Sequence, residues 1–292
     1  MDNFSTGSPD SVRLHAENPN FAFVHHDITE VLSGSAEVVA ASDAEPFTHI
    51  CNLASPASPL AYMRLPIETL RAGSIGVMNL LEFSLSCGAR FLHASTSEIY
   101  GDPETHPQRE TYWGRVNPIG PRSMYDESKR FAEASCTAYS RERGAHVRLA
   151  RIFNTYGPRL TWQDGRVISS FISQALRNAP LTILGDGSQT RSFCFVTDEI
   201  AGIVALLDSD VLGPVNIGNP EESTILELAH LVCELTGSKS ELEFRPFRED
   251  DPMKRQPDIS RASSLLGWNP KVDLREGLTH TIEWFRTLPE FG

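Results

Sequence analysis

Strand-like apolar runs alternate with patterns of helical period in the first half of this chain, and this alternation limits its possible folds more than any other feature. In chain order, the alternating strand and helix segments lie at about 49–53, 66–87, 90–94, 123–143 and 146–152. Parallel strands need a long crossover connection, usually a helix, so this order predicts a parallel sheet with helices on both faces. A shorter apolar run at 21–24 is expected to form a further strand.

The second half contains shorter segments of the same two kinds. We expect helices at about 166–178, 200–207, 225–236 and 274–286, and strands at 181–184 and 214–217. At roughly 150 residues per domain, the length suggests two domains or one large α/β domain. We place a soft boundary near residue 155 and expect some later segments to return to the first domain.

The charge balance argues against polyanionic partners. Lysine and arginine total 26 and aspartate and glutamate 38, and this net charge of −12 disfavours nucleic acids and anionic membrane surfaces as partners. No apolar run is long enough for a membrane span, and the first residues lack the features of a signal peptide. The five cysteines are scattered without a CxxC pair, so we expect reduced thiols in a cytoplasmic protein.

Tyr125 and Lys129 are spaced so that one helix face presents both side chains. A neighbouring ammonium favours the phenolate form of tyrosine, so we expect Lys129 to bring the pKa of Tyr125 towards working pH and make it a general base. The alternative interpretation is that the two residues share a helix surface by chance.

Polar residues directly follow two of the predicted strands. Residues 95–101 (STSEIYG) come after the strand at 90–94, and residues 154–159 (NTYGPR) after the strand at 146–152. Ligands of open α/β sheets bind beyond the carboxyl ends of the strands. Thr96 is therefore a candidate hydrogen-bond partner and Glu98 a candidate acid or base, while residues 154–159 could hold a diphosphate. The alternative for residues 95–101 is a turn with a helix N-cap.

Other catalytic signatures are missing from the sequence. The nine histidines show no metal-ligand spacing, and there is no GxSxG or Walker A pattern, so we predict no bound metal. Residues 185–191 resemble half of a GxGxxG turn, but no helical pattern follows them, and we reject a dinucleotide site there. Arg255, considered alone, is most simply a solvated charge.

Taken together and in this order, the motifs resemble the extended short-chain dehydrogenase/reductase superfamily, and within it the UDP-glucuronate decarboxylases that form UDP-xylose. The resemblance is carried by residues 2–7 (DNFSTG), 26–28 (HDI), 52–59 (NLASPASP), 95–101, 112–121 (YWGRVNPIGP), 125–129 (YDESK), 150–159 (ARIFNTYGPR), 164–166 (DGR), 187–191 (GSQTR), 218–222 (GNPEE) and 255–258 (RQPD). Each motif alone is weak, but jointly they are specific.

The resemblance implies an α/β fold with a Rossmann-like, doubly wound parallel sheet, whose first strand and helix are missing, and a smaller C-terminal substrate domain. Residues 1–155 would form an incomplete NAD-binding domain, and residues 156–292 mainly the nucleotide-sugar domain. NAD is the implied cofactor, a UDP-sugar the implied substrate, and a homodimer the implied assembly.

The resemblance also assigns roles by position. The implied catalytic residues are Tyr125, Lys129, Thr96, Glu98, Ser97 and Arg255. The implied NAD contacts are Asp2, Asn3, Thr6, Gly7, Asp27, Ile28, Leu53, Ser55, Tyr125, Lys129, Thr155 and Arg166. Asn154 and Arg191 would lie near the UDP moiety of the substrate.

The implied reaction is redox-neutral. Tyr125 would remove the proton of the sugar 4-hydroxyl while hydride passes to NAD, and the resulting β-keto acid would lose carbon dioxide near Glu98, Ser97 and Arg255. The hydride would then return to carbon 4, so that NAD is regenerated within one turnover.

Position 97 helps to separate this reaction from related ones. Nucleotide-sugar 4,6-dehydratases carry Thr-Asp-Glu, whose aspartic acid protonates a departing hydroxyl, whereas this sequence has Thr96, Ser97 and Glu98. Serine is a poor acid, so decarboxylation is favoured over dehydration. The alternatives are a 4,6-dehydratase or 4-epimerase, and a truncated, non-catalytic protein that binds a nucleotide sugar.

The sequence departs from the family pattern at its start. The family opens with a strand, a GxGxxG turn and a helix, and the turn and helix N-terminus hold the pyrophosphate. Without that strand, expected in the middle of a 3-2-1-4-5-6 sheet, the strand at 21–24 would have no neighbour joining it to the strand at 49–53. We expect Met1 to be an internal methionine of a longer, active protein; the alternative is a short product with weak NAD binding.

Overall fold

The computed structural model of this chain describes residues 1–32, 38–39, 46–247 and 250–291. Its strands are β1 (His49–Asn52), β2 (Arg90–Thr96), β3 (Val147–Ile152), β4 (Thr155–Tyr156), β5 (Leu181–Leu184), β6 (Thr190–Ser192), β7 (Cys194–Phe195), β8 (Pro214–Ile217), β9 (Glu222–Thr224), β10 (Leu242–Arg245) and β11 (Lys254–Arg255).

The helices alternate with these strands. They are α1 (Pro9–Arg13), α2 (Pro59–Arg64), α3 (Pro66–Arg71), α4 (Val77–Cys87), α5 (Ser123–Arg143), α6 (Val167–Leu176), α7 (Val196–Asp208), α8 (Ile225–Thr236), α9 (Ser260–Leu266) and α10 (Leu274–Arg286). A π-helical turn (Ala72–Gly76) joins α3 to α4, and a 3-10 turn (Ser97–Tyr100) follows β2.

A parallel sheet lies at the centre of the fold. In the described residues its order is β1-β2-β3-β8, and each neighbouring pair is parallel. Helices α2 to α4 connect β1 to β2, and α5 connects β2 to β3. The parallel α/β architecture predicted from the alternation is confirmed.

The two faces of this sheet bury separate sets of apolar side chains. Successive residues of a strand point to opposite faces. Accordingly, Phe91 and Leu149 belong to one buried cluster, together with side chains of α4 and α5. Their neighbours Leu92 and Ala150 belong to another cluster, together with side chains of α7 and α9. Helices therefore cover both faces of the sheet.

A further apolar core lies in the second half of the chain. Its buried members run from Tyr156 to Phe285 and come mainly from α6, α8, α10 and β5. Strand β8 instead joins the central sheet, and α7 and α9 pack on that sheet. The functional division into residues 1–155 and 156–292 stays a prediction.

The helix expected at 66–87 forms, interrupted by its π turn. Gly73 in this turn packs so closely on α5 that an added Cβ would lie 2.6 Å from the Ser128 Cβ. Helix α4 ends at Gly88, whose φ of 69° is a left-handed conformation that glycine adopts readily. The close approach at Gly73 fixes the position of α5, which carries Tyr125 and Lys129.

The strand expected at 21–24 does not form, and that prediction was wrong. In the described part of the chain, the only bridge beside this run joins Asp2 to His25, next to two backbone hydrogen bonds of 3.3 Å. One bridged residue does not build a ladder, and Phe21 is 38% exposed, so little burial stabilises an extended run. The 3-2-1-4-5-6 order is therefore not observed, since β1 pairs only with β2 among the described strands.

We predict that Phe91 is a principal support of the central sheet. The side chain is fully buried at 0% exposure, so Phe91→Ala should lower the free energy of unfolding by about 3–5 kcal/mol through lost burial and a residual cavity. Urea denaturation measures this loss. Phe244→Ala on β10 is the matched control, because Phe244 is 55% exposed and its truncation should cost less. Equal losses in the two variants would contradict the prediction.

Candidate active site

A cavity of about 560 Å³ lies at the carboxyl ends of the central strands. Its walls include residues that follow β1, the last residues of β2, and the segment between β3 and β4. This is where ligands of open α/β sheets bind, and the volume lies within the usual range of small-molecule sites. The site was expected at the strand ends, and a cavity lies there.

Tyr125 and Lys129 line this cavity from the first turns of α5. Both are buried, and the Lys129 Nζ lies 5.8 Å from the centroid of the Tyr125 ring. The ammonium donates a hydrogen bond of 2.7 Å to the carbonyl of Ala94 in β2. Tyr62 stacks on the Tyr125 ring at 5.0 Å between centroids. The phenol and the ammonium thus share a cleft, as their spacing predicted.

The pKa values of this pair are shifted in opposite directions. Burial raises the pKa of Tyr125 to about 12, and the nearby Glu98 carboxylate contributes in the same direction, while a hydrogen bond with Thr96 opposes them. Burial lowers the pKa of Lys129 to about 8. In this structure, then, the pKa of the phenol lies above its usual value, and the Lys129 ammonium donates its hydrogen bond to Ala94 rather than to the phenol.

Thr96, Ser97 and Glu98 lie at the carboxyl end of β2 and line the same cavity. The Thr96 side chain accepts a hydrogen bond of 3.2 Å from the Glu98 amide and caps the 3-10 turn. The capping interpretation of this segment is therefore correct, and it coexists with the placement of Thr96 beside Tyr125. Ser97 is 2% exposed.

Glu98 is held by two arginines. Arg255 donates two hydrogen bonds of 2.7 Å, one to each carboxylate oxygen, and Arg122 adds an ion pair of 2.8 Å. Burial alone would raise the pKa of Glu98, but Arg255 and then Arg122 outweigh it and lower the pKa to about 2. Glu98 is consequently a carboxylate at neutral pH and has no proton to donate. Arg255, only 5% exposed, is not a solvated charge.

A second carboxylate, Asp251, bridges two arginines of the cavity wall. Its Oδ1 lies 3.0 Å from Arg122 Nη1 and its Oδ2 lies 2.9 Å from Arg191 Nη2. Arg191 also donates to the carbonyl of Thr190, and burial lowers its pKa to about 10. Arg122, Asp251 and Tyr62 were not identified from the sequence, because no local motif indicates partners that lie this far apart in the chain.

Asp126 is another functional candidate that the sequence did not indicate. It follows Tyr125 on α5 and is 7% exposed. Burial and, next, the Glu98 carboxylate raise the pKa of Asp126 to about 8. Its Oδ1 has no hydrogen-bond partner in the part of the chain that the structure describes.

The predicted cofactor residues fall into two groups. Leu53, Ser55, Thr155 and Arg166 line the cavity, as do the predicted substrate contacts Asn154 and Arg191. The first group also contains a buried Ser55 hydroxyl that has no partner among the described residues. Arg159, within the segment that could hold a diphosphate, is exposed and does not line the cavity.

The remaining predicted cofactor residues form a separate group outside the cavity lining. They are Asp2, Asn3, Thr6, Gly7, Asp27 and Ile28. The structure brings four of these residues together in two pairs. The Asn3 Nδ2 donates to Asp27 Oδ2 at 2.9 Å, and Gly7 lies beside Asp2. A Cβ added to Gly7 would lie 3.1 Å from the Asp2 carboxylate. Their role in binding a cofactor stays a prediction.

The described ranges contain no cluster of three or more histidine, cysteine or acidic side chains that could hold a metal ion. Within the same ranges, the helices are too short or too polar to span a bilayer.

Comparison with known proteins gives consistent matches. The sequence model of the family described as GDP-mannose 4,6 dehydratase matches residues 1–281. UDP-glucuronic acid decarboxylase 1 of Danio rerio is 50% identical over 285 residues, which is 98% of this chain and 66% of that protein. The chain spans 62 to 66%, less than two thirds, of the length of the curated relatives to which it is 50% identical.

Solved structures share the fold. UDP-glucose 4-epimerase of Thermotoga maritima with UDP-glucose has a TM-score of 0.86 and 30% identity, over 98% of this chain and 89% of that one. UDP-glucuronic acid 4-epimerase of Bacillus cereus, in complex with UDP-glucuronic acid and NAD, has a TM-score of 0.82 and 26% identity, over 95% and 85% of the two chains. Both resemble this chain over nearly its whole length.

We predict that Glu98 stabilises the fold in a pH-dependent way. Glu98→Gln leaves Arg255 without the carboxylate that neutralises it and Arg122 with Asp251 alone, which should cost about 3–5 kcal/mol at neutral pH. Since the pKa of Glu98 falls from 4.5 to about 2 on folding, the folded state binds fewer protons. The stability that ionised Glu98 contributes to the folded state is present above about pH 4.5 and is lost as the pH falls towards 2.

Urea denaturation across that pH range measures the effect. Glu234→Gln is the matched control, because Glu234 pairs with Arg275 at the exposed surface, with side chains 62% and 55% exposed, and should change stability little. A Glu98→Gln variant as stable as wild type at neutral pH would contradict the prediction.

Proposed function

Because this chain belongs to the family described as GDP-mannose 4,6 dehydratase, we propose that it is an NAD-dependent carboxy-lyase. It converts UDP-glucuronate to UDP-xylose through a 4-keto intermediate. The matches to UDP-glucuronic acid decarboxylases and to an epimerase holding UDP-glucuronic acid and NAD support this substrate and this cofactor.

The observation that carries the proposal is the composition of one cavity wall. Tyr125, suited to move the proton of a sugar hydroxyl, lines the same cavity as Glu98 and the two arginines that hold it, Arg122 and Arg255. Guanidinium groups bind carboxylates in a planar, two-pronged geometry. A uronic acid sugar needs both features within one site.

The residues present fit the nicotinamide end of NAD. Leu53 offers an apolar surface, and the Ser55 hydroxyl is buried without a partner among the described residues, so it is available to a ligand. Lys129, Thr155 and Arg166 line the same cavity. These residues would hold the cofactor. When bound, NAD supplies an acceptor for the hydride of sugar carbon 4 and a donor that returns it.

Tyr125 exchanges the proton of the sugar 4-hydroxyl. Since burial raises the pKa of the phenol to about 12, a positive charge brought into the cavity is needed to favour the phenolate. The hydrogen bond with Thr96 orients the phenol, and the buried Lys129 ammonium lies 5.8 Å from the centroid of its ring. Tyr125 returns the proton when the 4-keto group is reduced.

The carboxylate of the 4-keto sugar is lost as carbon dioxide because the ketone accepts the electron pair. The enolate that remains takes up one proton from solvent, at the carbon that carried the carboxylate, before the 4-keto group is reduced. Arg255 and Arg122 supply positive charge where the carboxylate and the enolate lie. Glu98 is a carboxylate with a pKa of about 2, so its role is to orient these arginines rather than to donate a proton. Ser97 stands where a dehydratase needs an acid, which favours decarboxylation over the loss of water.

We also propose a cytoplasmic homodimer. Met63, Ile67, Leu70 and Phe131 are 57, 61, 39 and 46% exposed on helices α2, α3 and α5, and exposed apolar side chains of this kind favour protein interfaces. The five cysteines are free thiols, which supports a reducing compartment.

We predict that this chain forms UDP-xylose. Incubation with UDP-glucuronate and NAD should give UDP-xylose and carbon dioxide in equal amounts. Mass spectrometry of the nucleotide sugar measures the product. An isomer of UDP-glucuronate with unchanged mass would instead indicate a 4-epimerase, and a product lighter by one water from UDP-glucose, supplied in a parallel reaction, would indicate a 4,6-dehydratase. A folded chain that leaves UDP-glucuronate unchanged would contradict the proposal.

We predict that Tyr125→Phe lowers kcat by about 10²- to 10⁴-fold, the usual contribution of a positioned acid or base. The apolar contacts of the ring remain, so KM should change little. Tyr139→Phe is the matched control on the same helix, because the Tyr139 hydroxyl donates to Glu82 at 2.7 Å and does not line the cavity. A Tyr125→Phe variant with wild-type kcat would remove the phenol from the reaction.

A further inference from the structure

Asp251 differs from the other charged residues of the cavity wall. It accepts from two arginines that belong to different elements, Arg122 at the start of α5 and Arg191 in β6, with one oxygen for each. Glu98, by contrast, uses both oxygens on Arg255 and is shared with Arg122. Asp251 thus lies between two cationic side chains that both line the cavity.

The arginines and carboxylates of this group carry a net positive charge, which favours binding of an anionic ligand. Arg122, Arg191 and Arg255 are opposed by Glu98 and Asp251, so three positive charges face two negative charges. If Asp251 moves away, Glu98 alone opposes three arginines. Arg122 Nε is buried and has no partner in the described residues, so this guanidinium has a further donor available.

Asp251 is also the member of the group that can leave at the lowest cost. Its side chain is 20% exposed, compared with 14% for Glu98 and 11% and 7% for Arg122 and Arg191. A more exposed carboxylate regains hydration when it is released, whereas a buried one does not.

We propose that Asp251 pairs, in the free chain, with the two arginines that bind the substrate's two anionic groups. On binding, the sugar carboxylate pairs with Arg122 and the diphosphate with Arg191, while Asp251 is displaced. The inference rests on the proposed function and adds a residue that selects the uronate. UDP-glucose, which lacks the carboxylate, would replace Asp251 at Arg191 only, so Arg122 makes the distinction between the two sugars.

The assignment of the sugar carboxylate to Arg122 follows from position. Arg122 contacts Glu98, which lies two residues after Thr96, and so lies on the side of the cavity where Tyr125 acts. Arg191 has no ion pair with Glu98 within the described residues and contacts Asp251 from the side of β6. The two oxygens of Asp251 therefore mark a sugar side and a phosphate side.

The test is the binding preference for UDP-glucuronate over UDP-glucose, measured by isothermal titration calorimetry with no NAD added, so that no substrate turns over. Wild type should prefer UDP-glucuronate. Arg122→Gln should lower that preference by about tenfold or more, since a hydrogen bond to a charged group is lost, so UDP-glucuronate binding should fall by a larger factor than UDP-glucose binding. Arg141→Gln, an exposed position on the same helix, is the matched control.

Asp251→Asn separates a place-holding role from a structural one. If Asp251 competes with the substrate, this variant should bind UDP-glucuronate several times more tightly than wild type does. If Asp251 merely holds Arg122 and Arg191 in position, both sugars should bind more weakly, and the inference is overturned. Circular dichroism would reveal whether Arg122→Gln fails to fold. In that case Asp251→Asn alone shows whether Asp251 competes with the substrate.

The remaining outcomes are also decisive. A preference that survives in Arg122→Gln, or its absence from wild type, including the case in which neither sugar binds, overturns the inference. A wild-type chain that prefers UDP-glucuronate through Arg122 but forms no UDP-xylose overturns the proposed activity and leaves the inference standing. The two claims can therefore fail separately.

Discussion

The ion pair of Glu98 with Arg255 and Arg122 is the interaction on which the rest of the site depends. It joins the end of β2, the start of α5 and strand β11, which come from distant parts of the chain. Each of these charges would be costly to bury alone, so the three segments are stable beside one another only when the charges are paired. The cavity wall, its net charge and the position of Asp251 follow from that pairing.

Much of the fold could be predicted from periodicity. The strands at 181–184 and 214–217 and the helices at 225–236 and 274–286 have the expected bounds, because their apolar patterns are local and regular. The run at 21–24 has a similar local pattern but forms no strand, since a strand also needs a partner along its length. Helix α7 begins at Val196, before the expected residue 200, because tertiary contacts rather than periodicity determine such ends.

The candidate site was predictable only where its residues follow a strand or share a helix face. Thr96 and Glu98 follow the first rule, and Tyr125 and Lys129 the second. Arg255 had no local signal, and its place beside Glu98 depends on a contact across 157 residues. The pKa of Tyr125 could not be predicted from spacing either, because burial of the phenol depends on Tyr62 and on the packing of the whole cavity.

The burial of this ion-pair network has a consequence for its response to dissolved salt. Mobile ions screen charges that face water over a Debye length of about 8 Å at physiological ionic strength, but they act much less on charges that they cannot approach. Surface pairs such as Arg275 with Glu234, more than half exposed, weaken as salt is added. Arg255 and Glu98, with side chains 6% and 14% exposed, are screened much less. The attraction that joins β11 to the end of β2 is therefore nearly as strong in concentrated salt as in dilute buffer.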